Sequence, residues 1–260
     1  MSHRKKLDLA VIIGIEVLTT VASLYFGFDF LVSTLCYLGL PSLYLAFRLR
    51  TRTQWRRITA MAIIFGVWYG FLFAYLADWN KTWAWPEASL PLGYWFSIVN
   101  PVEWLWVFLW VTFIVLFYEH FLERDTKQNV SRRYIWVALS ALLFTVAIFS
   151  FTSWRPTALD WPYAYAVLAF LAVIPTILLV VTRPHILPKL FLPGLFFIPM
   201  HLSHEVTSLM LNQWYFPGQY FAIIPLPGSS GVPVEEFIIW IVLGSTLVVS
   251  YYELCIDDGK

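Results

Sequence analysis

Two copies of the tripeptide Pro-Val-Glu place carboxyl groups at the start of long apolar segments. The first copy lies in Pro101–Trp104 and the second in Pro233–Glu236, where two acids are adjacent. Burial makes a carboxylate costly to ionise and a neighbouring acid raises that cost, so one such group can keep its proton at neutral pH. A protonated carboxyl group in a dry site is a Brønsted acid, which makes Glu103, Glu235 and Glu236 candidate acid–base residues.

An aromatic, proline-containing loop precedes each copy of the tripeptide. The loops contain Trp83–Pro86 and Trp214–Pro217, which lie 131 residues apart, and the Pro-Val-Glu copies lie 132 residues apart. We interpret these matched spacings as an internal repeat. A proline followed by an acid is also typical of an ordinary helix start. The recurrence of the loop and the second acid at Glu236 favour the chemical interpretation, since a helix start needs only one carboxylate.

The segment before the second copy carries further polar residues, which are spaced three or four positions apart as on one face of a helix. One face of a helix carries His201, His204, Glu205, Ser208 and Asn212. Ionisable groups within an apolar span usually face the interior of a bundle, so we expect a hydrogen-bonded network that positions the acids of the second copy, with Glu205 as a catalytic group. In the first half, Asp78 is the nearest counterpart of Glu205 and a further candidate catalytic residue. The histidine spacing matches no standard metal site, so we expect no metal.

The composition of the chain is that of a membrane protein. Hydrophobic residues make up 60% and charged residues 13% of the chain, and the mean hydropathy is +0.70. Eight apolar segments approach the ~20 residues that cross a bilayer as a helix. The segments are residues 8–27, 30–48, 58–77, 98–122, 134–152, 161–182, 190–211 and 232–253. They are too long and too uniformly apolar for barrel strands, so we predict an all-α integral membrane protein with about eight transmembrane helices.

The basic residues predict how these helices are oriented. In the eight-segment arrangement, 15 of the 17 basic residues lie on one side, with Lys81 and Arg155 on the other. The positive-inside rule then places both termini in the cytoplasm and the protein in the cell membrane. Glu119 and Glu253 lie near basic loops and are interpreted as interfacial anchors, whereas Glu16 has no partner that the sequence identifies.

The repeat divides the chain into residues 1–126 and 127–260, each predicted to form four helices. Because four is an even number, the halves share one orientation and form parallel repeats about an axis along the membrane normal. Both Pro-Val-Glu copies then lie near the outer face. We expect the aromatic loops to fold over an apolar cavity as a lid, although aromatic residues also favour membrane interfaces. The candidate substrate-binding residues are Trp79, Trp83, Trp85, Trp104, His204, Trp214, Tyr215, Phe237 and Trp240.

Paired Pro-x-Glu elements, each after an aromatic loop and an upstream acid, resemble the flavin-independent membrane lycopene cyclases of carotenoid synthesis. In that family two homologous membrane units act together, and this chain is similar to the fused form over most of both halves. The second copy, Pro233–Phe237, fits the family pattern well. The first copy has Trp104 where a second acid is usual, and Asp78–Asn80 resembles an acid-containing segment of the family.

The resemblance implies an enzyme that cyclises lycopene, or a related linear carotenoid, without a redox cofactor. An acid protonates a terminal double bond, the cation closes a six-membered ring, and a base removes a proton. Glu235 or Glu236 would be the acid and Glu103 the complementary acid or base. Aromatic faces would stabilise the cation by roughly 0.5–2 kcal/mol each. The sequence contains no flavin, nicotinamide or phosphate-binding motif, so we expect no cofactor.

Two alternative functions fit the same residues. A related membrane terpene cyclase, or a carotenoid hydratase that quenches the cation with water, would use the same acids, and the difference at Trp104 keeps this alternative open. A non-enzymatic carotenoid-binding or transport protein would also have paired repeats. The expected partners are a linear carotenoid and the lipid bilayer, with no nucleic acid, and a homo-oligomer is left open.

Overall fold

The structure is a computed structural model that describes residues 2–49, 51–86, 93–95, 99–123 and 129–256. The helices, in chain order, are α1 His3–Phe26, α2 Phe30–Ala46, α3 Arg52–Trp79, α4 Pro101–Phe121, α5 Arg133–Trp154, α6 Ala164–Thr182, α7 Pro184–Met210, α8 Val234–Val242 and α9 Gly244–Ile256. A short antiparallel sheet pairs β1 Ile223–Ile224 with β2 Val232–Pro233. The chain is therefore a helical bundle, as the composition predicts.

A helix occupies each of the eight predicted apolar segments. Among the described residues, six helices are long and apolar enough to cross a membrane, and α8 with α9 makes a seventh if this pair, bent by 51°, is one span. Helix α2 is shorter and apolar. These lengths support a membrane protein, whereas the count of eight spans stays a prediction because it depends on α2.

Helix α4 lies at the centre of the bundle and α5 at its edge. In the most apolar stretch of each helix, 67% of the α4 residues but only 11% of the α5 residues are buried. Large apolar side chains such as Trp136, Leu143 and Phe144 are exposed on α5. Water would solvate this surface poorly and lipid chains would solvate it well, so the outside of α5 agrees with a membrane environment.

Residues matched by the repeat meet near the Pro-Val-Glu copies, at a place that we call the motif end of the bundle. Ala84 and Tyr215, one from each aromatic loop and 131 residues apart, exchange two backbone hydrogen bonds of 2.9 Å. Deeper in the bundle, the rings of Trp106 on α4 and Trp240 on α8 pack edge to face with centroids 5.5 Å apart. The two halves therefore contact each other through equivalent elements.

Basic side chains gather at the opposite end, which we call the basic end. Lys5 Nζ donates to the backbone carbonyl of Phe121 at 3.4 Å, and Arg133 donates to that of Leu254 at 3.1 Å. These bonds bring the start of α1, the end of α4, the start of α5 and the end of α9 together, as the predicted orientation requires. Of the basic residues used for that prediction, the ones outside the described residues are Arg50, Arg124, Lys127 and Lys260.

Two tyrosine–glutamate contacts cross between the halves at the basic end. The Tyr118 hydroxyl on α4 donates to Glu253, and the Tyr252 hydroxyl on α9 donates to Glu119. Such a reciprocal exchange arises where an approximate twofold axis passes between two equivalent helices. The exchange supports the proposal of two parallel repeats, whose predicted boundary between residues 126 and 127 lies outside the described residues.

The same glutamates form buried ion pairs. Arg57 on α3 lies 2.8 Å from Glu119, and neither side chain is exposed. Lys189 at the start of α7 lies 3.0 Å from Glu123 and 3.4 Å from Glu253. Glu119 and Glu253 are therefore internal links between helices, and the interpretation of these two residues as interfacial anchors was wrong, since each is buried beside a cation.

Replacing Arg57 with methionine should destabilise the bundle, because the Glu119 carboxylate is then left buried without its cation. Removing one partner of a buried ion pair typically costs about 3–5 kcal/mol. Arg56→Met is the matched control, since Arg56 is the preceding residue of α3 and is exposed. Thermal unfolding of both variants in detergent, followed by circular dichroism, measures the effect. Equal unfolding midpoints for the two variants would contradict the role given to Arg57.

Candidate active site

Both Pro-Val-Glu copies open a helix, but the two helices begin at different residues of the copy. Pro101 is the first residue of α4, and Asn100 is its N-cap, whose side chain accepts a 2.9 Å hydrogen bond from the backbone N–H two residues on. Pro233 is instead the extended N-cap of α8, which begins at Val234. The second helix therefore starts one residue later than the alignment of the two copies suggests.

This shift decides which acids occupy equivalent places. Pro233 pairs with Ile223 in the short sheet, so its backbone stays extended and the helix cannot include it. The third helical residue is Glu103 in α4 and Glu236 in α8, although the sequence aligns Glu103 with Glu235. Successive residues of a helix point in different directions, so Glu235 and Glu236 have different surroundings.

A cavity, which we call the motif-end cavity, lies between the two helix starts. Its acidic lining residues are Glu103, Glu205 and Glu236. The aromatic lining residues include Trp83, Trp85, Trp106, Trp214, Phe216 and Trp240. Apolar walls with a few convergent polar groups are typical of a site for a small ligand.

Glu103 and Asp78 form one carboxyl pair of this site. The indole N–H of Trp83 donates to Glu103 Oε1 at 2.8 Å, and the backbone N–H of Asn100 donates to Asp78 Oδ2 at 3.3 Å. The two carboxyl groups lie within hydrogen-bonding reach of each other. Because a carboxylate only accepts, such a pair can share a hydrogen bond only when one member carries a proton.

Glu236 and Glu205 form the second carboxyl pair. The Tyr165 hydroxyl, near the start of α6, donates to Glu236 Oε2, and the indole N–H of Trp214 donates to Glu205 Oε1 at 3.2 Å. Glu205 lies close enough to Glu236 for the two charges to interact. Each carboxyl pair thus receives one indole N–H from the aromatic loop of its own half.

Glu235 is buried, but it does not line the motif-end cavity. Its Oε1 accepts a 2.8 Å hydrogen bond from the backbone N–H of Phe221, and its Oε2 has no partner among the described residues. In the same loop, the Tyr220 hydroxyl donates to the backbone carbonyl of Thr82. Burial raises the pKa of the Tyr220 phenol, so this donor keeps its proton at neutral pH. Glu235 therefore binds the backbone of the second aromatic loop, whereas Glu236 faces the cavity.

The acids at the two ends of the bundle differ in their partners. Within the described ranges, no lysine or arginine pairs with the motif-end acids, which are Asp78, Glu103, Glu205, Glu235 and Glu236. At the basic end, by contrast, four buried acids each lie within 3.4 Å of an arginine or lysine: Asp8, Glu119, Glu123 and Glu253. A buried carboxyl group without a cation needs hydrogen-bond donors or a proton of its own. The motif-end acids therefore depend on hydrogen-bond donors or on protons of their own.

A second cavity, which we call the deep cavity, adjoins the motif-end cavity. Trp106, Glu205, Glu236 and Trp240 line both, so the carboxyl pair of the second half lies where the two cavities meet. The deep cavity is also lined by His201, whose Nε2 accepts a 3.0 Å hydrogen bond from an indole N–H on α4.

Several predicted substrate-binding residues line the two cavities. The motif-end cavity contains Trp83, Trp85 and Trp214, the deep cavity contains His204, and Trp240 lines both. Their side chains come from four different parts of the chain, so only the fold brings them together.

Four other predicted residues line neither cavity. Trp79 donates its indole N–H to Asp160 at 2.8 Å, and Trp104 donates to a backbone carbonyl of α3 at 2.8 Å. Tyr215 pairs through its backbone with the opposite loop, and its side chain is exposed. Phe237 is half-buried on α8. Trp104 thus supports the packing of α4 on α3 and lies away from the acids.

The sequence did not identify three residues that belong to the site. Trp106 follows Glu103 by three residues on the same face of α4, so helical spacing could have found it. Tyr165 and Glu16 come from α6 and α1, and no spacing relates them to the motifs. Their places depend on how distant helices pack.

No protein-family model matches the chain, and neither a curated protein nor a solved structure matches it. In the part of the chain that the structure describes, no group of three His, Cys, Asp or Glu side chains is arranged to hold a metal ion.

Replacing Trp83 with phenylalanine should destabilise the protein, because it keeps the aromatic ring but removes the N–H that Glu103 accepts. Leaving a buried acceptor with one fewer donor costs about 1–3 kcal/mol. Trp79→Phe is the matched control, since its N–H donates to Asp160 near solvent and should cost less than about 0.5 kcal/mol. Chemical unfolding in detergent compares the two, and an equal loss of free energy would contradict the importance of the Trp83–Glu103 bond.

Proposed function

We propose that this protein is a membrane enzyme that cyclises the ends of a linear carotenoid such as lycopene by acid catalysis without net redox chemistry. The observation that carries the proposal is that Glu103, Glu205 and Glu236 line one aromatic cavity, with Asp78 beside Glu103. Neither pair has a cation partner in the described residues, and both are supplied with indole N–H donors.

We propose a separate role for each carboxyl pair. Glu236 is the proton donor, with Glu205 beside it and the Tyr165 hydroxyl fixing its Oε2. Glu103 faces the same cavity from the other half and, with Asp78, removes the proton that ends the reaction. General acid–base catalysis of this kind contributes about 10²–10⁴-fold to a rate. One proton enters the substrate and one leaves it, so the product is an isomer and no cofactor is consumed.

The aromatic walls suit the other needs of this reaction. A polyene has no polar group to anchor it, so apolar surface must bind it, and the motif-end cavity is mostly aromatic. A tertiary cation next to Trp106, Trp214 or Trp240 would gain about 0.5–2 kcal/mol from each ring face. Water would quench the cation, and the buried position of the site limits its access.

The membrane itself is the proposed source of the substrate. Long apolar helices surround the site, and a carotenoid dissolves in the lipid that these helices contact. We propose that the motif end faces outward and that both termini are cytoplasmic, which follows from the basic residues gathered at the opposite end.

Expression of the chain in a host that accumulates lycopene tests this function. We expect a cyclised product of unchanged mass, and Glu236→Gln or Glu103→Gln should lower its formation by about 10² or more, because the amide keeps the shape of the carboxyl group but cannot transfer the proton. Pigments are separated by chromatography, and their molecular masses are measured by mass spectrometry.

Glu253→Gln is the control for this experiment, because Glu253 lies at the basic end beside Lys189 and contacts neither cavity. We expect it to retain activity. Unchanged lycopene in the host with the wild-type chain would contradict the proposal. A product heavier by one water would show a hydratase, in which the same acids make the cation and water quenches it.

A further inference from the structure

Glu16 is a buried carboxyl group in the middle of α1 that the reaction described above does not use. Only 6% of the residue is exposed, and its carboxyl group has no hydrogen-bond or ion-pair partner among the described residues. An ionisable side chain within a membrane span is costly and usually functional. The other acid of α1, Asp8, is paired with Arg48 and His120, so Glu16 is the exception on its own helix.

A set of hydroxyl contacts fixes how α1 lies against α7. Thr20 Oγ1 and Ser203 Oγ are 2.8 Å apart, and the Tyr37 hydroxyl donates to Thr20 at 2.8 Å and to Thr207 at 3.2 Å. Thr20 lies one helical turn after Glu16. The register of α1 is therefore set close to Glu16, which gives its carboxyl group a defined position at the cavity wall.

Glu16 lines the deep cavity together with His201, His204, Glu205 and Glu236. Two buried ring nitrogens there, His201 Nδ1 and His204 Nε2, have no hydrogen-bond partner in the described part of the chain. His201 Nε2 accepts from the Trp110 indole, so neutral His201 carries its proton on the unpartnered Nδ1. The cavity thus holds the Glu16 carboxyl group and two imidazoles together with Glu236.

The first half has no counterpart of the two histidines at the matched positions. The residues 131 positions before His201, His204 and Glu205 are Gly70, Phe73 and Ala74. If the histidines were needed only for the packing of the repeat, we would expect polar residues at the matched positions of both halves. The asymmetry places the extra polar groups next to Glu236, the proposed proton donor, and not next to Glu103.

We propose that Glu16 is a proton-relay residue that reloads Glu236 during each turnover, an inference that rests on the proposed cyclase function. Glu236 gives its proton to the substrate and is left as a carboxylate. Glu16 then loses a proton to His204 as His204 passes one to Glu236. The proton that Glu103 removes from the ring returns across the joined cavities through Glu205 to Glu16. Substrate and protein therefore end the cycle with their original number of protons.

The test compares the first turnover with steady-state turnover of lycopene in reconstituted vesicles. Glu16→Gln should keep its first-turnover rate within about twofold, because Glu236 is already loaded, and should lose about tenfold or more in the steady state. Glu16→Asp should recover part of the loss. Asp8→Asn is the matched control on the same helix and should keep the wild-type ratio of the two rates.

Two results with an active wild-type protein would overturn the relay. One is an unchanged steady-state rate in Glu16→Gln. The other is an equal loss in the first turnover and in the steady state, which a merely structural role would produce.

If the wild-type protein leaves lycopene unchanged, the proposed function fails, and infrared spectroscopy of the purified protein tests the relay separately. The infrared band of the Glu236 carboxyl group is identified as the band that is absent from Glu236→Gln. This band should shift in Glu16→Gln, since His204 couples the two acids. A Glu236 band that is the same with and without the Glu16 carboxyl group would overturn the coupling.

Discussion

Burying a carboxyl group among apolar helices costs several kcal/mol unless a cation, a hydrogen-bond donor or a proton compensates its charge. The bundle meets this constraint differently at its two ends. At the basic end, Arg57 and Lys189 neutralise buried glutamates that tie the helices together. At the motif end, carboxyl groups are paired with each other and receive N–H and O–H donors in place of cations. The first solution stabilises the bundle, and the second supplies the acids to which we assign proton transfer in the proposed function.

Residues that the proposed repeat relates meet at both ends of the bundle. Equivalent elements meet at Ala84 and Tyr215 near the motif end and in the crossed tyrosine–glutamate contacts at the basic end. The same packing puts Glu103 and Glu236 on one cavity. The symmetry is incomplete, because the second half has His201 and His204 where the first has Gly70 and Phe73. This difference suits a reaction that needs one donor and one acceptor in place of two equal acids.

Much of this arrangement could be predicted from the sequence, since apolar length and charge pattern locate the helical segments and the repeated tripeptide locates the acids. The choice of Glu236 over Glu235 could not be predicted, because it depends on β1–β2 pairing that holds Pro233 extended and delays the start of α8. The place of Glu16 depends on the register between α1 and α7. Helix packing also turned Trp104 away from the cavity, although its position beside Glu103 suggested a contact with substrate.

The central claim is that a carboxyl group of the protein donates a proton to a hydrocarbon, and solvent isotope incorporation tests it most directly. Vesicles holding the protein are equilibrated in D₂O, so that its carboxyl groups exchange, and are then given less lycopene than protein. Our account predicts that each ring formed in this first turnover carries one deuterium atom, seen by mass spectrometry of the product. Rings formed without deuterium would contradict it.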